Sequence, residues 1–421
     1  QSGVPAKNQT IKARREHMSA KYFVIAVMLL NFAFQACLYI INEKQRKKPL
    51  PENVKDVYDG ERYKKWSSYA RESNFVSLVS DVVSLVFLCI LILTDAFSWY
   101  GSLMPSNVYF NTICLSGTYI LLSSLVTIPL DYISDVKIEK KYDMGTTKLS
   151  TFVMDKIKSL IVSLLLECGL ICICIFLYTR IGLLFFAAAY AVVLVFVVLF
   201  STFSLTFQKL FNKFTPLEDG ELRTRLAEMF EKEGYKLRQI YVMNASLRTN
   251  KVNAFCTGLG KFKEIVLYDN LVNNYSDDEI VAVFAHELQH FKKKDTTLLT
   301  AMSSLSLLPV MLLMLALVYA PGFSKAFGFA GVNFSMVFIA MGALLEPITT
   351  ITSIPINAVS RSFEYRADAY AKSIGSGKAL VSALKKISSD NLGNLNPHPL
   401  IVFVEHNHPT LSQRISRLEQ K

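Results

Sequence analysis

The segment Ala282 to Phe291, AVFAHELQHF, sets two histidines and a glutamate into an otherwise apolar run. His286 and His290 are four residues apart, so a helix projects both imidazoles from one face, one turn apart, within reach of a single metal ion. Glu287 follows the first histidine, where a carboxylate can take the proton of a metal-polarised water as it attacks a peptide carbonyl. An amphipathic helix showing polar side chains to solvent has the same spacing, so donors elsewhere must decide between the two.

A tetrahedral catalytic zinc needs one more protein ligand and an open position. FEYRAD supplies Glu364 as that ligand, and Asp368, one helical turn further, can accept a hydrogen bond from the free ring nitrogen of His286 or His290. The oxyanion of the tetrahedral intermediate needs a donor, and HPTLSQR offers His408 or Arg414, which can equally be a helix cap and a surface arginine. Asn253, Ala254 and Phe255, if they form an exposed edge strand, can pair with an extended substrate while Asn253 binds a carbonyl; an ordinary turn is the alternative.

These groups must be held by a chain that is mostly greasy. Of its 421 residues 52% are hydrophobic, well above what a soluble domain of that length needs. Seven apolar runs reach the length of about 20 residues required to cross a bilayer. They are Tyr22 to Ile41, Phe75 to Phe97, Val108 to Leu130, Leu160 to Tyr178, Gly182 to Phe207, Leu298 to Ala320 and Phe329 to Thr352. The first is too long for a signal-peptide core and is read as a retained span. Asn31, Gln35, Asp81, Glu167 and Glu346 lie inside these runs and should face water or one another, since such groups are costly against lipid.

The divisions that follow are a mobile tail over 1–19, five spans over 20–207, a first zinc-domain part over 208–297, two spans over 298–354 and a second zinc-domain part over 355–421. In the first zinc-domain part, TPLEDGELRTRLAEMFEKEG reads as a helix capped at Thr215, with Glu218 completing a capping box and Gly234 stopping it. Gln239 to Met243, Asn253 to Gly258 and Lys263 to Val272 read as short strands. SDDE, Ser276 to Glu279, is a second capping box and opens the histidine helix. Pro355 to Gly377 reads as the helix carrying Glu364, returned to the same side by a hairpin of the last two spans.

The net charge of +11 raises nucleic acid as a partner, but the basic residues concentrate in loops between spans, which is a topology signal. That bias puts the first, third and fifth loops and the C-terminal segment in the cytoplasm, against a tail that carries Lys12, Arg14, Arg15 and Lys21 on the other side. The seven cysteines fall mostly inside spans without a CxxC pair and read as small buried apolar residues.

Together FNKFTPLEDGEL (Phe211 to Leu222), NAFCTG, AHELQH, SRSFEYRADAYA (Ser360 to Ala371) and HPTLSQR closely resemble the type I CAAX prenyl protease family, integral-membrane zinc metallopeptidases. The resemblance runs from about Asp131 to the C-terminus. It implies a multi-pass α-helical membrane protein in which seven helices ring a large water-filled chamber, capped by an α+β gluzincin-like zinc domain. It implies one zinc per chain held by His286, His290 and Glu364, with Glu287 as base, substrate laid along Asn253 to Phe255, and His408 and Arg414 near the reacting carbonyl. The partners implied are a peptide, prenylated or otherwise membrane-associated, and the bilayer. The location implied is the endoplasmic reticulum membrane in a eukaryote or the inner membrane in a bacterium. A general membrane quality-control protease also suits these residues, and a non-enzymatic seven-span receptor or transporter is a remoter alternative.

Overall fold

The computed structural model describes residues 6–257, 262–320 and 322–420. The first five residues of the expected tail, and Gly258 of the expected NAFCTG strand, lie outside them. The membrane part runs α1 (Ala6–Arg46), α2 (Gly60–Leu93), α3 (Ala96–Ser102), α4 (Val108–Tyr132), the one-turn α5 (Glu139–Lys141), α6 (Leu149–Ile181), α7 (Phe185–Thr202) and α8 (Ser204–Gln208). The stretch from Ala6 to Ser19, expected as a tail, is thus helical and continuous with the first span; nothing helix-breaking separates its polar residues from the apolar ones that follow.

Six continuous helical stretches among the described residues are long and apolar enough to cross a membrane. One of them, Leu149–Phe200, is α6 and α7 joined at Gly182, whose φ of 54° lets the chain reverse. Seven spans result.

Where those spans are buried shows how they are arranged. Val24 and Met28 of α1, Leu88 and Ile92 of α2, Leu115 of α4, Ile175 of α6 and Phe185 of α7 form one apolar cluster with residues of the last two spans, at the end away from the histidines. Between that cluster and the zinc side the helices separate. No residue is buried over 67–87 of α2, 117–135 following α4's first turns, or 153–167 of α6. Asp81 and Glu167 fall in these stretches, and Asn31, Gln35 and Glu346 are likewise unburied on α1 and α14; a hollow open to water tolerates groups that lipid would not. Asn31 Nδ2 and Gln35 Nε2 donate to Glu346 at 2.6 and 2.9 Å.

The soluble part continues with β1 (Phe214–Pro216), α9 (Glu221–Lys232), β2 (Lys236–Met243), β3 (Ala254–Thr257), β4 (Phe262–Tyr268), α10 (Asp269–Asn274) and α11 (Asp277–Lys292). The sheet order is β1-β2-β4-β3, with β2 and β4 parallel and the outer pairs antiparallel. Thr215 and Pro216, expected to open a helix, belong instead to edge strand β1, where a residue without an N–H is tolerated. The helix starts at Glu221 behind Gly220. Its Leu226 and Phe230 form a core with Ile265 and Leu267 of β4 and with Ile280, Phe284 and Leu288 of α11. The third strand also ends earlier than expected, turning into α10 at Asp269.

The chain then forms a membrane hairpin, α12 (Asp295–Tyr319), α13 (Phe323–Ala326) and α14 (Phe334–Ser373), and closes with α15 (Gly377–Asp390), α16 (Pro399–Val404) and α17 (Leu411–Glu419). The expected helix from Pro355 is the second half of the 40-residue α14. The last span and the third candidate ligand therefore share one continuous helix.

Candidate metal centre

Helix α11 begins with a complete capping box. Ser276 accepts from the Glu279 N–H while the Glu279 carboxylate accepts from the Ser276 N–H. Glu279 also receives Ser382 Oγ at 2.6 Å and Lys386 Nζ at 2.8 Å, which ties the start of α11 to α15. With one face buried on the sheet, the opposite face of α11 turns His286 and His290 toward α14. Ala282 and Ala285 meet Ala371 there in a buried cluster, and only such small side chains allow so close a helix approach.

That approach brings Glu364 to the histidines. Ligand atoms of His286, His290 and Glu364 all lie within 4.8 Å of one another. His286 Nε2 is 3.3 Å from Glu364 Oε2, His290 Nε2 is 3.4 Å from Glu364 Oε1, and the two Nε2 atoms are 3.3 Å apart. Each histidine is fixed through its other nitrogen. His286 Nδ1 donates to Asp368 Oδ1 at 2.9 Å, and His290 Nδ1 donates to Asp295 Oδ2 at 3.0 Å. Both Nε2 lone pairs are thereby aimed at the shared space.

The two aspartates are braced in turn. Arg414 Nε and Nη2 donate to Asp368 at 2.9 and 2.6 Å, a bidentate pair, while its Nη1 stands 3.4 Å from Glu364 Oε2. Arg366 donates to Asp295. Of the two aspartates only Asp368 was legible as a partner; Asp295 escapes periodicity because Lys294, in the left-handed region at φ 57°, redirects the chain just before it. An acid after three lysines at the mouth of a span is the signal that could have found it.

Burial pulls His290 toward its neutral form, yet Glu364, Glu287 and Asp295 outweigh this and lift its pKa to about 9. The same donors fit a divalent cation. Glu364 Oε2 is buried without a hydrogen bond, an orphaned lone pair that a cation at the centre of the three residues would satisfy. Two imidazoles and a carboxylate are the donor set of a catalytic zinc with one open position.

Glu287 is half-buried on the same turn of α11, and His408, on the exposed loop before α17, has Nε2 3.3 Å from Glu364 Oε1. Strand β3 is the open edge of the sheet. Asn253 O accepts from Tyr268 N at 3.1 Å, and Phe255 pairs with Val266, so the alternation of an antiparallel ladder turns the backbone groups of Ala254 and Cys256 outward. The exposed N–H of Ala254 is held by Asn253 Oδ1 at 2.8 Å. Burial, then the charge of Glu287, push the Cys256 thiol well above its ordinary range.

Residues 216–421 match the family model described as peptidase family M48, and residues 39–213 match that of the CAAX prenyl protease N-terminal region, five membrane helices. A protein of Schizosaccharomyces pombe (strain 972 / ATCC 24843) named probable CAAX prenyl protease 1 is 31% identical over 392 residues, covering 89% of this chain and 82% of its own length. The chain belongs to the CAAX prenyl protease family of M48 peptidases. CAAX prenyl protease 1 of Saccharomyces cerevisiae (strain ATCC 204508 / S288c) is 29% identical, with 95% of each chain covered. The crystal structure of S. mikatae Ste24p superposes with a TM-score of 0.88 at 28% identity, covering 95% of this chain and 99% of that one. As a family member the chain is an integral-membrane metallopeptidase, and the expected fold of spans around a hollow, closed by a peptidase domain, holds.

Proposed function

We propose that the chain is a zinc endopeptidase that takes a prenylated CAAX-type peptide, or another membrane-associated peptide, into the hollow between its spans and cleaves it beneath α11. The observation that carries this reading is the convergence of ligand atoms of His286, His290 and Glu364 within 4.8 Å of one another, with Glu364 Oε2 buried and without a hydrogen bond. Lysine and arginine cluster in loops on the metal-centre side, which supports a cytoplasmic active site, in the endoplasmic reticulum membrane of a eukaryotic cell. The relatives named CAAX prenyl proteases support the substrate class.

In this reading His286, His290 and Glu364 hold the zinc, which when bound polarises a carbonyl and acidifies a water. Glu287 takes the proton from the attacking water and delivers it to the leaving nitrogen. The substrate strand adds to β3, displacing Asn253 Oδ1 from the Ala254 N–H so that a substrate carbonyl can accept it. His408 is the better placed of the two oxyanion donors, because Arg414 spends Nε and Nη2 on Asp368 and serves chiefly to hold the His286 partner in position.

Glu287→Gln keeps shape and metal donors but removes the base. Peptide cleavage should fall by about a thousandfold or more while zinc stays stoichiometric by elemental analysis. Turnover retained in the zinc-loaded variant refutes the assignment. Comparing a farnesylated CAAX peptide with its unmodified twin tests the substrate class, and equal cleavage of both favours the quality-control reading.

A further inference from the structure

A second polar site lies at the head of α6, apart from the metal centre. A cavity of about 400 Å³ is lined there by Thr146, Lys148, Thr151, Lys213, Ser246 and Arg248 among others. Among the described residues no acid lines it, and those bonded to its lining residues are already engaged. Asp155 accepts Arg248 Nε and Nη2 at 2.8 and 3.1 Å, and Asp269 accepts the N–H groups of Ser246 and Asn270 at 3.0 Å and the Ser246 hydroxyl. Lys148 and Lys213 have no carboxylate partner among the described residues. The cavity is therefore rimmed by two exposed lysines without an ion-pair partner among the described residues. Helix α6 adds to them, since Lys148 gives it no side-chain cap and its first N–H groups stay open.

Two apolar features fix the level of this cavity relative to lipid. On α6 the exposed Leu149, Val153, Ile157, Ile161 and Leu165 recur at every fourth residue, so one apolar stripe runs from the membrane to the first residue of the helix. Below the opposite wall, around α8, Phe203, Phe207 and Leu210 are exposed beside Lys209 and Lys213. Large apolar side chains with lysines immediately behind them suit a helix end at the headgroup layer, whereas a site for a soluble anion would need neither.

We propose that this cavity binds the phosphorylated headgroup of an anionic phospholipid in the leaflet on the metal-centre side. Lys148 and Lys213 supply the charge, and Thr151 with the first turn of α6 supplies hydrogen-bond donors for phosphate oxygens. The space exceeds what one bare phosphate fills, so a headgroup bearing a further phosphate on an inositol ring is the better fit. Bound lipid would also steady the loop that leads from Asn244 to Asn253 at the substrate edge, because Arg248 O in that loop accepts from Thr146 N at 3.1 Å and Thr147 Oγ1 at 3.0 Å.

The test is native mass spectrometry of the full chain released from nanodiscs of phosphatidylcholine alone, with phosphatidylserine, or with a phosphoinositide. The phosphoinositide should be retained at one per chain in preference to the other two. Lys148→Glu/Lys213→Glu should weaken retention by about tenfold or more, at roughly 1 kcal/mol per lysine. Lys148→Arg/Lys213→Arg and the remote Lys232→Glu should retain it, and peptide cleavage in detergent checks that every variant is folded; should the double reversal not fold, Lys213→Gln alone gives a smaller loss of the same sign. Equal retention by the charge-reversed and unaltered proteins overturns the proposal. So does equal retention of phosphatidylcholine, or displacement of the lipid by inorganic phosphate at comparable concentration, which would make the site one for a soluble anion.

Discussion

At the scale of single residues the candidate metal centre is a set of nested constraints, each histidine with its own acid. Asp295 aims His290 as Asp368 aims His286, and both are nearly inaccessible to water. An imidazole that loses its orienting acid gains rotational freedom and basicity is no longer held at the metal-facing nitrogen, so Asp295→Asn should cost about ten- to a hundredfold in zinc affinity. Competition with a chromogenic chelator measures it, and an unchanged affinity shows that Asp295 only packs. The pH dependence has a definite sign. With its pKa lifted to about 9, the metal-free His290 ring holds a proton at neutral pH that zinc must displace, so affinity should fall as pH drops below that value. The fall should set in at lower pH in Asp295→Asn, since one of the groups raising His290 has lost its charge.

At the scale of elements, the decisive event is the approach of α14 to α11. Ala371 is fully buried where the two helices meet, next to Ala282 and Ala285. Ala371→Leu inserts three heavy atoms where none fit; it should destabilise by about 1–3 kcal/mol and draw Glu364 away from the histidines. A thermal melt with a parallel zinc titration checks this, and Ser373→Leu, on the exposed side of the same turn, should change neither. Helical spacing made most of this legible from the sequence. His286 with His290, and Glu364 with Asp368, are pairs whose mutual placement follows from 3.6 residues per turn, and the Ser276 capping box fixed where the first helix starts. What escaped depended on backbone conformation or on partners far away in sequence. Thr215 and Pro216 carry a cap-like pattern, but the eight-residue β2 offers their backbone a ladder and wins. Asp295 is set by a left-handed turn, and Arg414 by a pairing with α14 that no local pattern announces.

At the scale of the whole molecule, the spans make sense only around a hollow. Burial is concentrated at the end remote from the metal centre and again beneath the peptidase domain, and the stretches between carry the polar side chains. A solid bundle would bury those stretches and would have to desolvate Asp81 and Glu167, which have no hydrogen-bond or ion-pair partner among the described residues. Three of the five also satisfy one another, through the bonds of Asn31 and Gln35 to Glu346. A hollow open to water makes these positions reachable by polar reagents from the side of the active site. In a background with the seven native cysteines replaced, Asp81→Cys should therefore react with a charged maleimide, and a peptide bound at the metal centre should slow the reaction. Leu165→Cys, on the apolar stripe of α6, should stay unlabelled, because a charged reagent cannot follow it into hydrocarbon. Labelling of Leu165→Cys with Asp81→Cys protected would turn the helices inside out and refute the arrangement.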